Sequence, residues 1–225
     1  MISFEDEVLL VVAPHQDDEV LGCGGLMRRV LGEGGEVHVL SLCDKVVDHE
    51  RARVEEYRAH LRGALDVLFS GIAPATFRST FCGFETEVLY TKWRDVMVQI
   101  SEQADKVGAT VLALPWRHDL HQDHRTASMA GRFAGRAFSN RAVLEYEVAG
   151  STDQQSDVAF CPNVYLPLES YDVTLKQEAL RQFEGELRPW PHPRSEEGVK
   201  VQAQFRGMQI GALFAEAFCL YRTVL

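Results

Sequence analysis

Two short aliphatic runs constrain the fold of this 225-residue chain most. One is Leu9-Leu10-Val11-Val12-Ala13, stopped by Pro14; the other is Ala109-Thr110-Val111-Leu112-Ala113-Leu114, stopped by Pro115. A strand with one wet face alternates apolar and polar residues, whereas an uninterrupted run needs cover on both faces. The spacing predicts strands over 7–13, 36–43 (EVHVLSLC), 75–81 and 109–114. Between them it predicts helices over 24–31, 48–69 and 85–107, and a small-residue helix over 128–138. Strands alternating with helices imply an α/β fold, a Rossmann-like, doubly wound, mostly parallel open sheet. The C-terminal part differs in texture. Strands are expected at 143–148 and 164–168, and helices at 174–187 and 196–211. A proline-rich elbow, Arg188-Pro189-Trp190-Pro191-His192-Pro193-Arg194-Ser195, separates the two helices. This part reads as a C-terminal extension that walls the site, within one domain spanning 1–225.

Composition removes several classes of function. Apolar residues make up 46% and charged residues 25%, an ordinary soluble balance. A formal net charge of -10 argues against nucleic-acid and anionic-membrane partners, which need a basic footprint. No apolar run approaches a membrane span. The start of the chain has no basic segment of the signal-peptide kind. The five cysteines form no C-x-x-C pair, which suits reduced thiols and a cytoplasmic location. The sequence leaves a homo-oligomer open.

The chemistry sits in two clusters, each directly after one of the aliphatic strands. The first is His15-Gln16-Asp17-Asp18-Glu19; the second is His118-Asp119-Leu120-His121-Gln122-Asp123-His124. A lone loop histidine is usually a surface residue. Three of the eight histidines within seven residues, at the same kind of place as a fourth, are harder to dismiss. In open α/β sheets ligands bind at the carboxyl ends of strands, near a switch in strand order. In the order 3-2-1-4-5 the first and fourth strands are neighbours, and right-handed crossovers bring both clusters to one rim. Imidazole and carboxylate suit zinc, and a catalytic site leaves one position for water. Adjacent aspartates point in different directions, so one can bind metal while the other meets water whose pKa the metal lowers.

These residues resemble a known family. The run PHQDDEVLGCGG and the motif His121-Gln122-Asp123-His124 are similar to the two signatures of the LmbE-like, or PIG-L, N-acetylglucosaminyl deacetylases, with Gln16 where proline is usual. LEYEVAGST, PHPRSEEG and RGMQIGALFAEAF extend the likeness along the chain. The resemblance implies one zinc ion held by His15, Asp18 and His124, and Asp17 as general base. His121, in protonated form, would stabilise the oxyanion or donate a proton, and Asp123 would orient it. It also implies removal of an N-acetyl group from a small-molecule amino sugar or glycoconjugate. Arg53 and Glu56 fall in an R-x-x-E pattern where the family often places a substrate-contacting arginine; Arg51 is a competing alignment, and a solvated helix face is the alternative. The usual Thr-Gly-type turn is here Cys43-Asp44-Lys45.

Two other readings stand beside this one. A zinc amidase acting on a non-sugar N-acyl compound needs the same residues. A non-catalytic nucleotide- or sugar-binding module would use Gly22-Cys23-Gly24-Gly25, but Met27 occupies the place of its third glycine. The glycines better fit close approach of a helix to the sheet. His192 belongs to an elbow that is either a rigid turn or a lid over substrate.

Overall fold

The computed structural model describes residues 3–45, 51–72, 76–136, 142–154, 157–183 and 185–224, with backbone only at 45 and 51–53. Seven strands form one sheet: β1 (Val8–Ala13), β2 (Glu36–Lys45), β3 (Thr76–Glu85), β4 (Val111–Pro115), β5 (Ala142–Tyr146), β6 (Val164–Leu168) and β7 (Phe214–Thr223). Their order is β3-β2-β1-β4-β5-β7-β6. The first five are parallel, and β7 runs antiparallel between β5 and β6. The expected neighbourhood of β1 and β4 holds, with Leu9, Leu10 and Val11 opposite Val111, Leu112 and Ala113.

Helices α1 (Asp18–Gly32), α2 (Arg51–Leu68), α3 (Trp93–Val107), α4 (Gln122–Ala134), α5 (Ser170–Leu180) and α6 (Glu196–Met208) cover the sheet, with a short 3-10 turn at Leu89–Lys92. Alternate residues of β1 enter opposite layers. Leu9, Val11 and Ala13 pack with side chains of α1, α2 and α5, while Leu10 and Val12 pack with those of α3 and α4. That two-sided burial explains why the run is aliphatic throughout. No helix among the described residues is long and apolar enough to cross a membrane.

Two helices begin earlier than periodicity suggests. The spacing places their starts near residues 24 and 128, but α1 begins at Asp18 and α4 at Gln122. Both clusters are therefore short strand-to-helix turns. Their polar side chains interrupt the apolar period, yet acids in a first helical turn suit the positive end of the helix dipole. The sheet also gains more from the C-terminal segment than expected, because AEAFCLYRT belongs to the ten-residue strand β7.

The α1 helix lies unusually close to the sheet. A Cβ on Gly22 would stand 2.1 Å from Cδ2 of Tyr146, and one on Gly25 2.3 Å from Leu168. The Tyr146 hydroxyl donates to the Val12 carbonyl at 2.7 Å. Glu216 of β7 accepts from the backbone N–H groups of Gly25 and Leu26, both at 2.8 Å, and from Lys176 Nζ at 2.6 Å. Lys176 also donates to the Leu21 carbonyl. This buried pair fastens the helix that carries Asp18 to α5 and β7.

Candidate metal centre and cleft

The tight turn after β1 places its side chains by backbone geometry. Asp17 has φ 105°, a left-handed conformation uncommon outside glycine, and its N–H donates to the Glu19 carboxylate. Asp18 is fully buried in the first turn of α1, and its Oδ2 also accepts the His15 N–H at 2.9 Å. The turn after β4 delivers His121 as N-cap of α4 and His124 within its first turn.

Three donor atoms converge between the turns. His15 Nδ1 lies 3.4 Å from Asp18 Oδ2, His124 Nε2 lies 3.2 Å from the same oxygen, and the two nitrogens are 3.3 Å apart. Ligands at roughly 2.0–2.2 Å from a tetrahedral zinc stand roughly 3.3–3.6 Å apart. The triangle therefore has the edges of one face of such a tetrahedron, and its two imidazoles and one carboxylate fit a zinc-like ion. The donor atoms of His15, His121 and His124 also lie within 4.8 Å of one another, a looser set.

Each histidine of the tight triangle has a carboxylate behind it. His15 Nε2 faces Asp123 Oδ2 at 3.1 Å. His124 Nδ1 lies 3.3 Å from Asp119 Oδ1, off the hydrogen-bond axis. Asp119 is itself held by the His121 N–H and by the hydroxyls of Ser151 and Thr152. Asp123 accepts from the N–H groups of Glu87 and Leu89. Metal-binding histidines commonly give their second nitrogen to such a carboxylate.

The same contacts set the charges. Burial works against ionised His124, yet Asp18 and Asp119 raise its pKa to about 10. Asp18 is driven up by burial but held well below the usual carboxylate range by His124 and His15. Burial raises Asp17 to about 7, against the pull of Arg194. Burial lowers His121 to about 4, helped by His15 and His124.

His121 therefore differs from the protonated form that the sequence suggested. It is neutral, and its Nδ1 accepts the Asp123 N–H at 3.2 Å. Its proton must sit on Nε2. Asp123 contacts His121 through that backbone N–H, while its carboxylate faces His15.

A cavity of about 440 Å³ opens over this centre, with His15, Asp17, His121 and His124 in its lining. The proline-rich elbow supplies one wall, including His192 and Arg194. Gly198 of α6 packs closely on the elbow: a Cβ there would lie 2.3 Å from the Pro193 carbonyl oxygen. Arg194 Nη2 reaches to 3.4 Å from Asp17 Oδ1 and 3.9 Å from Asp18 Oδ1, while Nη1 pairs with Glu186.

A family model described as GlcNAc-PI de-N-acetylase, PIG-L, matches residues 10–134, more than half of the chain and both clusters. The chain belongs to the PIG-L family. No curated protein matched it. Among solved structures, the PIG-L chain is similar to N,N'-diacetylchitobiose deacetylase from Pyrococcus horikoshii, at 19% identity and TM-score 0.73, covering 95% of this chain and 83% of that one. It is similar to the conserved protein TT1542 from Thermus thermophilus, at 22% identity and TM-score 0.71, covering 96% of each. GalB, the 4-carboxy-2-hydroxymuconate hydratase from Pseudomonas putida KT2440, has the same fold at 17% identity and TM-score 0.75, covering 97% of this chain and 98% of that one.

The remaining candidate site residues fare differently. His192 lines the cavity. Glu56 is exposed and outside the cavity lining, whereas its neighbour Tyr57 is in it. The side chains of Arg51 and Arg53 lie outside the described residues. Sequence reasoning gave no role to Asp119 or Arg194. Asp119 stood within the second cluster, and Arg194 stood in the elbow as PHPRS, so both were visible as residues but not as contacts.

Proposed function

We propose that this PIG-L protein is a zinc-dependent N-deacetylase that hydrolyses the acetamide of an amino sugar or glycoconjugate. The observation that carries the reading is the 3.2–3.4 Å triangle of His15 Nδ1, Asp18 Oδ2 and His124 Nε2 on the cavity floor, with Asp17 beside it. Membership of the family and the likeness to a chitobiose deacetylase support the acetylated-sugar assignment. The occurrence of the fold in a hydratase makes a direct assay of acetate release the deciding measurement.

His15, Asp18 and His124 would hold the ion, which when bound supplies Lewis acidity toward the acyl oxygen and a water of lowered pKa. Asp17 faces the cavity and accepts the proton of the attacking water. A carboxyl group with pKa about 7 can then return that proton to the departing amine. The Nε2–H of neutral His121 donates to the oxyanion as it forms. Asp123 and Asp119 hold the two ligand imidazoles in orientation. Arg194 keeps the Asp17 carboxylate turned toward the reacting atoms, and the elbow with His192 encloses the sugar. A single domain over 1–225 and a cytoplasmic location complete the reading, the latter supported by five free cysteines.

The test is acetate release from a panel of N-acetylated sugars, with the protein metal-stripped and then zinc-loaded. Activity that appears only on loading is the expected result. Failure to release acetate from any acetamide at full zinc occupancy would overturn the assignment.

A further inference from the structure

We propose that Cys43, His15 and Asp123 form a second, thiol-containing metal site beside the first, and that a soft divalent ion bound there inhibits the enzyme. The inhibitory part rests on the reading that His15, Asp18 and His124 hold the catalytic ion.

One donor atom each from His15, Cys43 and Asp123 lie within 4.8 Å of one another. The imidazole of His15 has two edges. Its Nδ1 edge belongs to the triangle with Asp18 and His124, whereas its Nε2 edge faces Asp123 at 3.1 Å. Cys43 is 3% exposed and lines the same cavity as His15. The β2–β3 register shifts on both sides of it, between Ser41 and Cys43 and between Cys43 and Lys45. Such irregularities re-aim side chains next to active sites. The Cys43 N–H also donates to the Pro14 carbonyl at 2.9 Å, which ties the end of β2 to the turn that carries His15. The thiol has one weak polar contact among the described residues, to the Glu85 carbonyl at 3.5 Å.

A set of one sulfur, one nitrogen and one oxygen donor favours zinc or cadmium over magnesium or manganese. Binding forms S–metal, N–metal and O–metal bonds and releases the thiol proton and the Nε2 proton of His15. The price is the His15–Asp123 contact that orients the first site. With an ion on each edge, the imidazolate would bridge two cations. Turnover should fall as the second ion binds.

The experiment uses the full chain with the exposed Cys161 replaced by serine (Cys161→Ser), stripped of metal and titrated with cadmium. Bound cadmium is counted by equilibrium dialysis and thiolate ligation by its ultraviolet charge-transfer band. Two ions are expected, with the band growing during the second step. Adding Cys43→Ser, or Cys43→Ala as a second variant, should remove one ion and the band while circular dichroism stays unchanged. These readouts require no substrate, so they test the site even if the deacetylase reading fails. Where acetate release is measurable, Cys43→Ser, referred to its own rate at one zinc per chain, should need at least about tenfold more zinc or cadmium for half-inhibition. A single bound ion in the parent, or a band that persists in both Cys43 variants, overturns the proposal.

Discussion

His15 turns Nε2 to the carboxylate of Asp123 at 3.1 Å, although 108 positions separate the two residues. The ring of the first cluster is thus oriented by the second. Asp119 Oδ1 lies 3.3 Å behind His124 Nδ1, off the hydrogen-bond axis. Removing either carboxylate should loosen a ligand without removing it. Asp123→Ala and Asp119→Ala are each expected to weaken zinc binding by about 10- to 100-fold, read by competition with a chromophoric chelator. Unchanged affinity in both variants would mean that the two carboxylates do not support metal ligands.

The adjacent aspartates should separate cleanly. Asp17→Asn should keep zinc and fold but lose roughly 10²–10⁴ in rate, because an amide cannot accept the proton. Asp18→Asn replaces an anionic ligand with a neutral one, so zinc should bind more weakly and added zinc should partly restore activity. Metal analysis with a zinc titration of both variants checks this. Zinc rescue of the Asp17 variant would reverse the assignment.

His121 competes with Asp18 for the third ligand position. As an Nε2–H donor outside the triangle, His121→Ala should retain near-normal zinc and lower kcat by roughly 10²–10³. Complete zinc loss in that variant would make His121 the ligand.

The fastening of α1 is open to a stability test. Lys176→Met strands the buried Glu216 carboxylate, and losing one member of such a pair costs about 3–5 kcal/mol. A urea midpoint close to that of the parent would show that the pair contributes little.

Gly22→Ala should destabilise despite alanine's better helix propensity of about 1 kcal/mol. The added methyl group meets the fully buried Tyr146 ring, and overpacking of this kind costs about 1–3 kcal/mol. A raised Tm would mean that helix and sheet are farther apart than 2.1 Å implies.

Much of the fold was legible from local pattern. Unbroken aliphatic runs meant two-sided burial, and alternation with helical periods meant a parallel sheet with β1 beside β4. Helix starts were less legible, because Asp18, Gln122 and Asp123 break the apolar period where the site requires polar groups. The final strand escaped because Ala215, Ala217 and Cys219 pack against neighbours without the bulk that usually marks a strand.

For the site, local pattern was enough to read the donor types, their two clusters and their common rim, because residue type and strand position are local properties. Which carboxylate faces which imidazole became visible once the chain was folded. Asp17, Asp18, Asp119 and Asp123 are the same group chemically, so their roles differ only by direction and distance. The neutral state of His121 likewise depends on burial between two other imidazoles and on a backbone N–H directed at Nδ1. Arg194 reaches Asp17 across 177 residues from an elbow packed on Gly198 of α6, a pairing that no local pattern encodes.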